Sequence, residues 1–147
     1  MAIQLFTIGF TQKTASEFFT LLKNNNVKRI IDIRINNKSQ LAGFAKGMDL
    51  EYFTQEILGI PYEHRLDFAP TTDLLKNYRD KKISWKQYEE EYLRLLVERD
   101  VINQISEDFL DGAVLMCSEH LPDKCHRRLL AEYLLNNFQD ISIKHLW

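Results

Sequence analysis

The fold of this chain is limited most by the alternation of short apolar runs with stretches of helical periodicity. Residues 3–8 form an apolar run that ends at Gly9, and residues 27–33 form a second run rich in β-branched side chains. Between them, Thr14 and Glu17 have the spacing of a capping box at the start of an amphipathic helix. Near-continuous apolarity is typical of strands that are covered on both faces, as in parallel sheets. The chain is therefore predicted to open as strand, helix and strand.

The same alternation continues along the rest of the chain. The further predicted elements are a loop at 36–47, a helix from an N-cap at Asp49 to Gly59, a short edge strand at 60–64, a helix capped by Ser84 and Gln87, a strand at 112–117, a helix begun by Pro122 and Asp123, and a last strand at 141–145. Parallel neighbours need crossover connections, and these are right-handed. We therefore expect a three-layer, Rossmann-like α/β fold with a mostly parallel sheet of about five strands and helices on both faces.

Composition narrows the class of protein. The 147 residues, 45% of them hydrophobic, suffice for a sizeable core, so residues 1–147 are predicted to form a single α/β domain. The net charge of -2 does not favour nucleic acid or an anionic membrane through the field of the whole molecule. No apolar run approaches the roughly 20 residues of a membrane span, and no signal peptide is recognised. A cytoplasmic protein with no membrane partner is therefore expected.

Ligands of parallel sheets bind beyond the carboxyl ends of the strands. In this chain the corresponding positions are residues 7–11, 32–34, His64 and 117–128. Asp32 and Arg34 lie two apart on a strand, so their side chains are expected on the same face. An arginine held by an aspartate presents a fixed fork to a phosphate or carboxylate. The alternative for this pair is a structural ion pair that clamps the strand to a neighbouring loop.

A second group of polar residues follows the predicted strand that ends at Cys117. The group comprises Cys117 at the strand end, Glu119 just after it, and Cys125, His126 and Arg127 in the predicted first turn of the next helix. The amide N–H groups and positive end of that helix stabilise an anion or a thiolate. Cys125 is therefore the better thiolate candidate. If it faces the pocket, its pKa is expected to lie below that of a free thiol, with the Glu119 charge and burial against Leu129 opposing the shift, and Cys117 is expected to react more slowly. Structural, buried roles are the alternative for both cysteines and for His126.

Four residues of this segment could be counted as zinc ligands, namely Cys117, His120, Cys125 and His126. Adjacent Cys125 and His126 seldom reach one tetrahedral ion from a helix, and the usual close spacing of paired cysteines is absent. Asp123 stands where a cysteine phosphatase loop begun by Cys117 would need an arginine. The sequence also has neither a Gly-rich dinucleotide fingerprint nor a P-loop. No metal and no cofactor are predicted.

Several short motifs are spread along the chain. They are Thr7-Ile8-Gly9, Asp32-Ile33-Arg34, Phe44 with Lys46, Ala69-Pro70-Thr71, Ile83-Ser84-Trp85, Cys117-Ser118-Glu119, Cys125-His126-Arg127 and Ala131-Glu132-Tyr133. Together they resemble the domain of unknown function 488 family over nearly the whole chain, most specifically from residue 117 to 133. The resemblance implies a single α/β domain with a shared polar site and supplies no reaction. Phe10 and Thr11 stand where the family often has His and Ser, and His120 stands at a position that is often basic without being histidine.

The leading hypothesis is an enzyme-like pocket for a phosphate or carboxylate at the carboxyl ends of the strands. The predicted catalytic residues are Cys125, Glu119 and His126, and the predicted ligand-binding residues are Gly9, Asp32, Arg34, Cys117 and Arg127. Nucleotides or nucleic-acid fragments are the first ligands to try, because arginine forks and a helix N-terminus suit phosphate. One alternative is a non-catalytic module that binds nucleic acid or another polyanion through the loop at 36–47. Another is a polar cluster that only holds the fold together; the oligomeric state is not predicted.

Overall fold

Five parallel strands make up one sheet in the computed structural model, which describes residues 2–38, 43–119 and 124–147. The strands are β1 (Ile3–Gly9), β2 (Arg29–Asp32), β3 (Tyr62–His64), β4 (Ala113–Cys117) and β5 (Ile141–Leu146). Their order across the sheet is β3-β2-β4-β1-β5, and every neighbouring pair is parallel. The predicted parallel α/β sheet is confirmed, with the strand after Pro61 at an edge.

Helices cover both faces of the sheet. Within the described residues they are α1 (Ala15–Asn24), α2 (Gly47–Phe53), α3 (Thr72–Arg79), α4 (Trp85–Glu98), α5 (Glu107–Leu110) and α6 (His126–Asn137). Buried Phe18 and Leu50 place α1 and α2 in the core of one face. Buried Leu74, Tyr92 and Leu130 place α3, α4 and α6 in the core of the other. The expected three layers are confirmed.

Two helices begin at the capping boxes that the sequence contains. The Thr14 hydroxyl accepts from the Glu17 N–H at 3.1 Å, and the Glu17 carboxylate accepts from the Thr14 N–H at 3.0 Å. Ser84 and Gln87 make the same reciprocal pair at the start of α4, at 3.2 and 2.8 Å. Each box satisfies two backbone N–H groups that the helix itself leaves without partners. Both predicted helix starts are confirmed.

The helix predicted from Asp49 begins earlier, at Gly47. The Gly47 N–H donates to the Asn37 carbonyl at 2.6 Å, and a Cβ at Gly47 would overlap the Asn37 side chain. The spacing of apolar residues in the sequence does not reveal this close approach of loop and helix. The helix start predicted at Asp49 is therefore wrong. The helix continues into a π-helical turn at Thr54–Leu58 and ends as predicted at Gly59, which has a left-handed φ of 66°.

The starts of α3 and α6 also differ from expectation. The sequence pattern does not predict α3, which Thr71 caps by accepting from the Leu74 N–H at 3.1 Å. Pro122 and Asp123, predicted to begin the last helix, lie outside the described residues. As described, α6 begins at His126 with Cys125 as its N-cap residue, so Cys125 precedes the first turn. No helix in the described part of the chain is long and apolar enough to cross a membrane.

The strand order opens a crevice between β2 and β4. From β2 the chain leads outward to β3, whereas from β4 it leads outward to β5 at the opposite edge. Right-handed crossovers put these two connections on opposite faces, which separates the loops above the two neighbouring strands. A ligand site in an open α/β sheet is expected at such a point.

Candidate functional site

A cavity of about 340 Å³ lies at this crevice. One wall is formed by residues that follow β2 and one by residues at the end of β4 and the start of α6, and helices α3 and α4 complete it. Its lining residues are Phe10, Arg34, Ile35, Asn36, Pro70, Leu75, Tyr78, Arg79, Trp85, Tyr88, Cys117, Ser118, Glu119, Lys124, Cys125 and His126. Arg34, Cys117, Glu119, Cys125 and His126 of the predicted site therefore share one cavity.

The predicted Asp32–Arg34 fork is present on the β2 side. Arg34 Nε donates to Asp32 Oδ1 at 2.9 Å and Nη2 donates to Oδ2 at 2.7 Å. The Tyr62 hydroxyl donates to the same Oδ2 at 2.5 Å, and Arg34 Nη2 also donates to the Ala45 carbonyl at 2.7 Å. Asp32 is fully buried and Arg34 is 6% exposed. Two charges at this depth tolerate burial because each is matched and hydrogen-bonded.

The electrostatics of the fork keep Arg34 charged. Burial opposes the guanidinium charge, but the hydrogen bonds and negative charge of Asp32 outweigh it, so the pKa of Arg34 is raised. Burial and the Asp32 charge also raise the pKa of Tyr62, which keeps its hydroxyl as a donor. Arg34 Nη1 is buried and has no hydrogen-bond partner among the described residues. A cation with an unsatisfied donor thus borders the cavity.

Gly9 and Arg127 support the turn that follows β4. Arg127 is fully buried, and its Nη1 donates to Cys117 Sγ at 3.2 Å and to the Glu119 carbonyl. A Cβ at Gly9 would overlap both the Glu119 carbonyl and Arg127 Nη1, so only glycine fits beneath this turn. Gly9, Arg127 and Asp32 are absent from the described cavity lining. They position the residues that form it instead of facing its space.

The pKa values of the two thiols are shifted in the opposite sense from the one expected: that of Cys117 is lowered and that of Cys125 is raised. Burial raises the pKa of Cys117, but a hydrogen bond from the Cys125 thiol and the charge and N–H of Arg127 outweigh burial, so the net pKa is lowered. For Cys125, burial, the bond that it donates and the Cys117 charge all raise the pKa. The expectation of a lowered pKa at Cys125 is therefore wrong. At Cys125 the charge and backbone N–H of Arg127 lower the pKa but do not outweigh burial, whereas Arg127 Nη1 contacts Cys117 directly.

His126 ties α6 to the end of β2. Its Nε2–H donates to the Ile33 carbonyl at 2.7 Å, and the Tyr92 ring lies edge-on at 5.5 Å between centroids. Burial lowers the pKa of His126 to about 4; the bond to Ile33 opposes this shift and the Arg127 charge adds to it. The imidazole is therefore neutral near neutral pH, with its Nε2 proton engaged. His64 makes a similar bond from Nε2 to the Arg34 carbonyl at 2.6 Å, outside the cavity lining.

One wall of the cavity is aromatic, and none of its residues belongs to the site predicted from the sequence. Trp85 and Tyr88 are stacked, with centroids 5.0 Å apart and planes 15° from parallel, and Tyr78 lies 5.2 Å from Tyr88. Pro70 borders the same space, and Arg79 adds a positive charge at its rim. In the sequence these rings have the spacing of an ordinary core-facing stripe. The one signal was Trp85, which belongs to a motif that carries the family resemblance.

The zinc ligand set is not assembled in the described part of the chain. No group of three or more His, Cys, Asp or Glu side chains that could hold a metal ion occurs there. His120 lies outside the described residues. The four-ligand arrangement considered from the sequence therefore receives no geometric support from Cys117, Cys125 and His126.

Comparison with known proteins identifies a family. Residues 14–134 match the family model of the domain of unknown function DUF488. No curated protein and no solved structure matches the chain. The matched segment contains the Asp32–Arg34 fork, both cysteines and the aromatic wall, whereas Gly9 lies ahead of it. Because the match covers most of the 147 residues, the chain belongs to the family of the domain of unknown function DUF488.

Proposed function

We propose that the cavity binds a small ligand through a phosphate or carboxylate group seated against Arg34. The observation that carries this proposal is the state of the guanidinium. It is charged, held rigidly by Asp32, borders the cavity and has an Nη1 without a partner among the described residues. A buried donor without an acceptor costs about 1–3 kcal/mol, so an anionic ligand oxygen that reached Nη1 from the cavity would be stabilising.

The charges around the cavity support an anion. Arg79 and Lys124 border it together with Arg34, and Glu119 contributes the opposing carboxylate. The N-terminus of α6 also faces this region through Cys125, and a helix N-terminus favours a negative charge. The Asp32 charge is already engaged by Arg34 and Tyr62. The cationic groups of the lining thus outnumber its carboxylates.

The shape of the cavity supports a ligand with a planar ring. A volume of about 340 Å³ is near the lower end for small-molecule sites, which run from roughly 300 to 1,000 Å³. The partly buried rings of Trp85 and Tyr78, backed by buried Tyr88, offer aromatic surface against which a base can pack. Nucleotides and other nucleic-acid-derived ligands combine such a ring with phosphate. A ligand seated at Arg34 would also meet the catalytic candidates Cys125, Glu119 and His126, which border the same space.

The test is a thermal-shift screen with inorganic phosphate, simple carboxylates and nucleoside monophosphates. A ligand that binds only the native state raises the melting temperature by mass action. Arg34→Lys keeps a positive charge beside Asp32 but removes the fork, and should weaken binding about tenfold or more. The matched control is Arg65→Lys, because Arg65 makes the same two-bond fork with Asp67 at 2.9 and 2.7 Å outside the cavity lining.

Three results would count against the proposal. If no compound of the panel stabilises the wild type, the proposal of a phosphate or carboxylate ligand is contradicted. Equal stabilisation of wild type and Arg34→Lys would place the ligand elsewhere. An affinity that falls steeply with salt would indicate neutralisation of several phosphates, as in a polyanion-binding module, because a single small ligand gives a shallow dependence.

A further inference from the structure

The two cysteines of this chain meet in the cavity. Cys117 lies at the end of β4 and Cys125 precedes α6, and they are 1% and 4% exposed. Both are unpaired thiols in the same core cluster, and each affects the pKa of the other. Both also border the cavity. The binding proposal above makes no use of this pair.

The environments of the two sulfur atoms are unequal. Arg127 Nη1 donates to Cys117 Sγ at 3.2 Å, and Arg127 is fully buried, so its charge acts through an interior poorly screened by water. Cys125 has no comparable contact with the guanidinium: the charge and backbone N–H of Arg127 lower its pKa, but burial and Cys117 outweigh them. A thiolate is the reactive form of cysteine, and a positive charge beside one thiol favours its ionisation. Cys117 is thus placed as the nucleophile and Cys125 as its neighbour.

We infer that Cys117 and Cys125 form a peroxide-reactive dithiol, in which Cys117 attacks a hydroperoxide and Cys125 then closes a reversible disulfide. The inference is independent of the anionic ligand. It requires only that a small hydroperoxide enters the cavity and reaches Cys117. It also requires that the two sulfur atoms, which belong to one core cluster and border one cavity, come within bonding distance of each other.

The chemistry balances with the hydroperoxide as the oxidant. The Cys117 thiolate attacks one peroxide oxygen, so an S–O bond forms and the O–O bond breaks. The alkoxide or hydroxide that leaves takes up a proton, and Cys117 becomes a sulfenic acid after a two-electron oxidation. Cys125 then loses its proton and attacks the Cys117 sulfur, which expels hydroxide to form water. The net change converts two thiols and one hydroperoxide into a disulfide, an alcohol or water, and water.

Hydrogen peroxide is the probe. The reduced 147-residue chain is treated with increasing doses of hydrogen peroxide. The remaining thiols are counted after denaturation, and the mass of the intact chain is measured in parallel. The wild type should lose both thiols together, become lighter by two hydrogen atoms, remain monomeric on a non-reducing gel and recover both thiols with dithiothreitol. Since the chain has only two cysteines, the count is unambiguous.

Two single variants assign the roles. In Cys125→Ser, Cys117 should accumulate as a sulfenic acid that dimedone traps. In Cys117→Ser, the remaining Cys125 should resist the same dose, because the charge of Arg127 no longer assists a thiolate in contact with it. Circular dichroism and urea unfolding establish that each variant is folded.

The opposite pattern would overturn the inference. Disulfides only between chains, preferential oxidation of Cys125, or no oxidation until urea unfolds the protein would each show that the pair does not react as a dithiol. These outcomes are separate from failure of the anion site, because the peroxide experiment contains no phosphate or carboxylate ligand.

Discussion

Two arginine–aspartate forks among the described residues have nearly the same geometry in different surroundings. Arg34 and Asp32 are joined by bonds of 2.9 and 2.7 Å, and so are Arg65 and Asp67. The side chains of the first pair are 6% and 0% exposed, whereas those of the second are 18% and 26% exposed. The first also borders a cavity. Hydrogen-bond geometry alone therefore does not mark a site; burial and the surrounding groups do.

The packing of the two arginines differs as well. Arg65 lies over the Phe68 ring at 4.6 Å and near Phe109 at 5.4 Å. Arg34 lies over Phe10 at 5.0 Å and leaves Nη1 without a partner among the described residues. Both guanidinium groups thus use a ring face, but the donor capacity of the buried one is incompletely used. Under the proposed function, a ligand anion would complete the first fork and would add little to the second.

Removing each arginine should give the largest difference between the forks. Arg34→Ala leaves the fully buried Asp32 carboxylate without its counter-ion and should destabilise the protein by about 3–5 kcal/mol. Arg65→Ala affects a partly exposed pair and should cost about 1 kcal/mol or less through its charges. Urea unfolding of both variants beside wild type measures the difference. Equal losses would mean that burial does not distinguish the two forks.

As the solution is acidified, the stability contributed by His126 and that contributed by the Arg65–Asp67 fork should be lost at different pH values. The pKa of His126 in the folded protein is about 4, below its ordinary value of 6.5, so the unfolded chain takes up a proton first as pH falls. The resulting stability is present above about pH 6.5 and should fall between there and pH 4 by up to about 1.4 kcal/mol per pH unit. The hydrogen bond from Arg65 lowers the pKa of Asp67 below 3.8, so its contribution is lost only in more acid solution.

The measurement is the free energy of unfolding across the acid range. His126→Asn should flatten the upper part of the profile, and Asp67→Asn should flatten only the most acid part. A His126→Asn profile as steep as that of wild type above pH 4 would contradict the assignment.

Removing the Tyr62 hydroxyl should reduce the stability of the protein less than removing the Arg34 side chain. This hydroxyl donates to Asp32 Oδ2 at 2.5 Å and accepts from Asn37 Nδ2 at 3.1 Å. Tyr62→Phe removes both bonds while the Arg34 fork stays, and should cost about 1–2 kcal/mol. Tyr52→Phe is the matched control, because Tyr52 is 62% exposed and its loss should lie within about 0.5 kcal/mol. Equal effects of the two substitutions would show that Tyr62 does not support the fork.

Much of the site could be predicted because it follows from strand ends. Gly9 and Cys117 are register partners on β1 and β4, and Asp32 ends the neighbouring strand β2. Once the sheet is parallel, its carboxyl edge must gather these residues. The face to which each side chain points was less accessible. Cys117 belongs to the core that contains Leu115, whereas Met116, the register partner of Asp32, belongs to the opposite core.

The order of the thiols could not be predicted from position along the helix. Cys125 has the favourable place at the N-terminus of α6, but burial and Cys117 outweigh the effect of the Arg127 charge and backbone N–H on its pKa. Arg127 turns inward and places Nη1 on Cys117 instead. Which sulfur receives the charge depends on side-chain directions across two elements, and sequence spacing does not contain that information.

The sequence by itself determined the elements whose signals are local: the capping boxes at Thr14 and Ser84, the end at Gly59 and the buried strands. These depend on hydrogen bonds and periodicity within a few residues, so the chain specifies them before it packs. The tertiary structure alone decided the cavity, which joins Arg34, Tyr88 and Cys125 from distant parts of the chain. The sequence pattern of an aromatic stripe on a helix is the same whether its rings fill a core or border a cavity. Only packing between the elements leaves that space open, because it determines which side chains meet and which donor stays without an acceptor.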